Sequence, residues 1–166
     1  MDIDFDNINH INYIMKLAKR NNYYQLQLLS SIEEYYKTNG SLRVDYVDFK
    51  GLFYIENKKV LGFIIYQFID KQYIKVDFML IDKSFQNKGY GKQLINKVIS
   101  IRPSFIVIEC EKDTKDYYIK NFNFFELRKD NLKNPKDISE NKRLCQIHFI
   151  REIEKNYNNF CYVYKL

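Results

Sequence analysis

The residues whose types and spacing could do chemistry are concentrated in Gln86-Asn87-Lys88-Gly89-Tyr90-Gly91-Lys92, where an apolar stretch gives way to a helical pattern. The first N–H groups of a helix have no intrahelical partner and sit at the positive end of its dipole. Glycine lets a backbone approach an anion closely and tolerates positive φ. Lys88 and Lys92 add cationic side chains, which read either as phosphate contacts or as a solvated face. The pattern predicts an anion cradle for a phosphate or pyrophosphate. It is not a Walker loop, because position 86, five residues before Gly91, holds glutamine. Nor is it a dinucleotide fingerprint, since Leu94 stands where the third glycine belongs and the loop falls in mid-chain.

A second kind of chemistry needs carboxylates. Asp77 interrupts an apolar run (Val76, Phe78, Met79, Leu80) and projects to the same strand face as Ile81. It reads either as a general base or as a residue on an exposed sheet edge. Glu109, near the end of the run FIVIEC, competes for the base role, and Asp82 reads as a turn residue. Cys110 reads as a small buried hydrophobe, with no histidine nearby to make it a nucleophile. Cys145-x-x-His148 reads as packing, so no metal is expected.

Hydrophobic periodicity supplies the elements that position these groups. Ile3–Phe5 reads as a short opening strand. Asp6 or Asn7 can cap a helix carrying Ile8, Ile11, Met15 and Ala18. Leu28 to Tyr36 suggests a second helix, ending at Asn39-Gly40. Leu52–Glu56, Val60–Phe68 and Tyr73–Ile81 read as three strands of an antiparallel meander. A helix over Gly89–Ile101, a buried strand Phe105–Cys110, a short helix Thr114–Asn121 and a strand Phe124–Leu127 follow. Arg128–Lys142 is a polar loop. Leu144–Ile153 reads as a helix, with a strand over Leu144–Ile150 as the competing reading, and Phe160–Leu166 as a terminal strand. Strand–helix alternation after a meander defines an α/β (α+β) class with a mixed sheet.

The cradle resembles the Gln/Arg-x-x-Gly-x-Gly/Ala loop of the GNAT superfamily of acyl-CoA N-acyltransferases, with Gln86, Gly89 and Gly91 at its defining positions. The order of elements over Ile3–Leu127 is similar too, and Tyr117-Tyr118 with Lys120 matches a further family pattern. Glu111, Thr114 and Phe122-Asn123-Phe124 depart from that pattern, where Asn, Ala and Gly-Phe are usual. The resemblance implies a single domain over residues 1–166 with a mixed, mostly antiparallel central sheet flanked by helices and a family-atypical insertion around 128–159. It implies direct transfer of an acetyl group from acetyl-CoA to a primary amine. The pyrophosphate would lie on Gln86, Asn87, Lys88, Gly89, Tyr90, Gly91 and Lys92, and the pantetheine amides on backbone at Leu80 and Ile81. Tyr118 would be the acid that protonates the leaving thiolate, unless it is only a packing residue of a short helix. A catalytically inactive CoA-binding module is the alternative.

Composition limits the remaining classes. The 166 residues contain 27 Lys and Arg against 21 Asp and Glu, a net charge of +6. The basic residues are dispersed among acids, which argues against a nucleic-acid-binding surface. A positive chain is a poor general attractor for polycations, which favours neutral, acidic or single-amine acceptors. No apolar run approaches the roughly 20 residues of a membrane span, and the acidic start MDIDFDNINH does not fit a targeting peptide. Three widely spaced cysteines, Cys110, Cys145 and Cys161, read as reduced thiols of a cytoplasmic protein.

Overall fold

The computed structural model describes residues 1–21, 48–70, 73–126 and 160–165. The expected helix over 28–36, the atypical stretch 128–159, the alternative readings of 144–153 and the Cys145/His148 pair lie outside these residues. The described chain contains helices α1 (Ile8–Arg20), α2 (Tyr90–Ile99) and α3 (Lys115–Phe122). Its strands are β1 (Asp48–Glu56), β2 (Lys59–Asp70), β3 (Tyr73–Ile81), β4 (Phe105–Glu111), β5 (Phe125–Glu126) and β6 (Phe160–Lys165). They form a six-stranded mixed sheet in the order β1-β2-β3-β4-β6-β5. The contacts divide the chain into two compact units: Met1–Phe68 with Phe78–Ile101, and Ile69–Asp77 with Arg102–Leu166.

In the first unit, α1 forms because Ile11, Ile14, Leu17 and Ala18 recur at helical spacing, and all four are buried. Asn7 caps it by accepting the Asn9 N–H at 3.0 Å. The apolar face packs with Phe53, Phe63, Ile65 and Leu80 into one core. The opening strand expected over Ile3–Phe5 shrinks to a single bridge, Asp2 to Leu52. Local polar groups turn the chain away after Ile3: Asp4 Oδ1 accepts the Asp6 N–H at 3.0 Å and His10 Nδ1 accepts the Asp4 N–H at 2.9 Å. β1 and β2 form an antiparallel hairpin through Asn57-Lys58, with a register shift between Tyr54 and Ile55. The buried residues of α2 are Leu94, Ile95 and Val98, whereas Ile99 is only half-buried.

In the second unit, β3 and β4 run parallel from Tyr73/Phe105 to Val76/Ile108. A parallel pair requires a crossover, and α2 lies between the two strands in sequence. β4 is buried along Ile106, Val107 and Ile108, as a strand covered on both faces should be. β6 inserts antiparallel between β4 and β5. Among the described residues no helix is long and apolar enough to cross a membrane.

One close approach fixes the first unit. A Cβ on Gly62 would lie 2.6 Å from the Leu80 carbonyl oxygen and clash with the tip of Ile81, whereas one on Gly51 would meet only the Ile3 side chain. Gly62→Ala should therefore cost about 1–3 kcal/mol, as overpacking against rigid backbone does. Gly51→Ala should cost less, because a side chain can move. Urea unfolding midpoints of the two variants check the ranking.

Candidate active site

The cradle is assembled entirely within the first unit. β3 ends at Ile81, and Asp82 caps a 3-10 turn over Lys83–Phe85 by accepting the Ser84 N–H at 3.1 Å. Gln86 closes the turn by donating its side-chain N–H to the Ile81 carbonyl at 3.0 Å. Asn87 (φ +61°) and Gly89 (φ +80°) both take left-handed backbone, which lifts the chain out of the turn and into α2. Gly89 is the N-cap of α2 and offers no side-chain cap. The N–H groups of Tyr90, Gly91 and Lys92 thus open the helix with no intrahelical acceptor. The space where a Gly89 Cβ would stand is open to 4 Å. A helix start with uncapped donors, left-handed glycine and free space is suited to an anion.

The side chains around this loop divide the expected roles. Tyr90 turns to β1, where its hydroxyl donates to Glu56 at 2.9 Å and its ring stacks on Tyr54 at 4.4 Å. The hydrogen bond to Glu56, with some desolvation, raises its pKa above the usual tyrosine value. Its backbone N–H is therefore the part left to the cradle. The Lys88 ammonium lies 5.0 Å from the Phe85 ring centroid and Lys59 lies 5.0 Å from the same ring. Lys92 is exposed. Leu80 is buried in the core, and Ile81 is half-buried with its side chain beside Gly62.

Arg20, the last residue of α1, and Asn21, its C-cap, hold this loop in place. Asp82, only 3% exposed, forms an ion pair with Arg20. Asn21, also buried, accepts the Lys83 N–H at 2.7 Å and donates to the Leu17 carbonyl at 2.8 Å. The contacts span 62 residues, so spacing carried no sign of them. The one available signal was Asp82 itself, a carboxylate directly after an apolar strand.

The second unit gathers the expected proton-transfer residues into two groups. Lys75 and Asp77 share a face of β3, and the Lys75 ammonium lies 3.1 Å from Asp77 and 3.9 Å from Glu109. The Asp77 side chain is 9% exposed and β3 has neighbours on both sides, which corrects the reading of an exposed sheet edge. The two competing bases are thus brought together on one cation. Tyr118 lies in a separate aromatic group on α3, buried edge-on to Tyr117 at 5.3 Å and Phe124 at 6.1 Å. Burial raises the pKa of its neighbour Tyr117. Lys115 pairs with Glu126 at 3.1 Å and Lys165 donates to the Phe122 carbonyl at 2.9 Å, fixing α3 to β5 and β6. Cys110 is buried.

Comparison with known proteins gives this arrangement its family. Residues 12–124 match the acetyltransferase (GNAT) family model. That match covers well over half of the chain, and the chain belongs to the GNAT acetyltransferase family. Among solved structures, a GNAT-family acetyltransferase from Staphylococcus aureus Mu50 has the same fold at 16% identity, with a TM-score of 0.59 over 99% of this chain and 97% of the other. Tetrahymena GCN5 matches at 14% identity and a TM-score of 0.59, covering 98% and 92%. A PaiA N-acetyltransferase from Thermoplasma acidophilum, in complex with coenzyme A, matches at 13% identity and a TM-score of 0.56, covering 95% and 93%. No curated protein matches the chain by sequence.

The Arg20–Asp82 pair generates a test. Arg20→Met leaves a buried carboxylate uncompensated and should cost about 1–3 kcal/mol, the low range reflecting the exposed half of the arginine. Adding Asp82→Asn should recover part of that loss. A double-mutant cycle on unfolding free energies measures the coupling.

Proposed function

We propose that the protein transfers an acetyl group from acetyl-CoA directly to a primary amine, in the cytoplasm. The observation that carries this reading is the uncapped start of α2, with Gly89 in left-handed backbone and donors at Tyr90, Gly91 and Lys92. It supports a pyrophosphate there, held by backbone N–H groups, with Lys88 and Lys92 as mobile countercharges. The fold shared with a coenzyme A complex supports CoA as the carrier.

Chemically, the amine nitrogen attacks the acyl carbonyl carbon, the carbon–sulfur bond breaks, and the thiolate leaves. An amine of pKa about 10.4 is neutral in roughly one molecule in 2,500 at pH 7, a deficit near 4.6 kcal/mol. A carboxylate, directly or through a water, removes the ammonium proton. Asp77 and Glu109 are the bases in this reading. With Lys75 they form a group carrying two negative charges and one positive, which favours a cationic amine over a neutral acceptor. Tyr118 supplies the proton or hydrogen bond that the thiolate needs.

Thiol release from acetyl-CoA with a panel of amines tests the activity. Release with at least one amine is expected, and tight CoA binding with no release from any would establish the inactive module. Gly91→Val should abolish CoA binding, seen by calorimetry, while circular dichroism shows a folded protein. Unchanged affinity would remove the cradle from Gly91. Tyr118→Phe should lower kcat about 10- to 1,000-fold with CoA affinity preserved. Equal losses in both would return Tyr118 to packing.

A further inference from the structure

The first unit carries an open surface pocket of about 330 Å³, lined largely by exposed side chains, beside the cradle. One wall is α1, through Lys16, Leu17 and Arg20. The other is the β1–β2 hairpin, through Ile55, Lys58 and Lys59. Among the described residues lining it, four carry cationic side chains and none is acidic, while Leu17 and Ile55 give it an apolar side. The volume is at the small end of ligand sites.

Two local features run against stability and share this pocket. Lys58 has φ +61° and follows Asn57 at φ +49°, a pair of left-handed residues in a tight hairpin. Glycine is the favoured residue at the second position of such a turn, and a lysine there is strained. Lys16 and Arg20 stand one helical turn apart with like charge, which also disfavours the helix. The helix dipole and Asp82 account for Arg20. Neither accounts for Lys16 or Lys58. A bound anion would account for both.

The alternation of β1 separates the Ile55 wall of the pocket from the cradle, whereas Lys59, paired in register with Glu56 and 5.0 Å from the Phe85 ring, borders both. Tyr54 and Glu56 face Tyr90 at the start of α2, so Ile55, between them, faces the opposite side of the strand. The geometry points to a second anion site, between α1 and the β1–β2 hairpin, that binds a compact phosphate-bearing ligand independently of the cradle. Lysine and arginine supply the charge, and the apolar side accommodates a small organic body. Arg20 is shared between this site and Asp82, which places the ligand one ion pair away from the turn that begins the cradle.

Calorimetric titration with inorganic pyrophosphate, on protein saturated with CoA, tests the site. Wild type should bind one equivalent. Lys58→Gly and Lys16→Glu should each weaken that binding 10-fold or more, with CoA affinity unchanged. Lys58→Gly should also raise Tm, because it relieves the turn as it removes the charge. Equal pyrophosphate affinity in wild type and both variants would overturn the site. So would pyrophosphate binding that CoA blocks and dephospho-CoA does not, since the pocket would then hold the donor's own 3′-phosphate. If CoA fails to bind at all, the cradle reading falls, while Lys58-dependent pyrophosphate binding still establishes this site.

Discussion

The cradle depends on where one buried carboxylate sits. Asp82 holds the first N–H groups of the turn after β3 and is itself held by Arg20 from α1. A carboxylate at 3% exposure is costly to bury alone, so the pair and the Ser84 hydrogen bond act together or not at all. Its own N–H donates to the Leu61 carbonyl at 2.8 Å, tying the same residue to β2. Three elements thus converge on Asp82. The left-handed steps at Asn87 and Gly89 start from a fixed point rather than from a free loop end.

The α2 side of the loop is fixed by a different device. Tyr90 reaches β1 and is held by both stacking and a charge-assisted hydrogen bond. The helix cannot rotate about its first turn without breaking the contact with Glu56. Donors that are oriented before a ligand arrives lose little on binding, and that economy is what a rigid anion site offers over a set of mobile lysines. Lys88, resting on the Phe85 ring, is of the second kind.

Much of this was legible in the sequence where the signal is local. β3 begins and ends at the residues its apolar run suggests, and α1 and α2 follow their heptad-like spacing, because burial of one face decides both. The break before α2 could be read from Gly89 because a glycine in left-handed backbone reflects the chain's conformation directly, whereas Gly91 lies within the helix. Interactions between distant residues were not legible. Nothing in the types of Arg20 or Asn21 pointed to a loop 62 residues away. Asp77 was ambiguous for the same reason: its partner Lys75 is near in sequence, but the meaning of the pair depends on Glu109 in another strand. Ile3–Phe5 misled because β propensity was outweighed by the turn-forming side chain of Asp4.

The two side-chain ties from the end of α1 also restrict how the gene can drift. Arg20 and Asn21 reach Asp82 and Lys83 only if α1 has its present length. One inserted residue would advance the helix end by about 1.5 Å and swing it by about 100°, carrying both side chains off their partners. Substitutions on the exposed face of α1 cost little, but a single-codon insertion or deletion inside it would displace the cradle. Selection must therefore hold the length of α1 constant as well as the identity of its buried face and of Arg20.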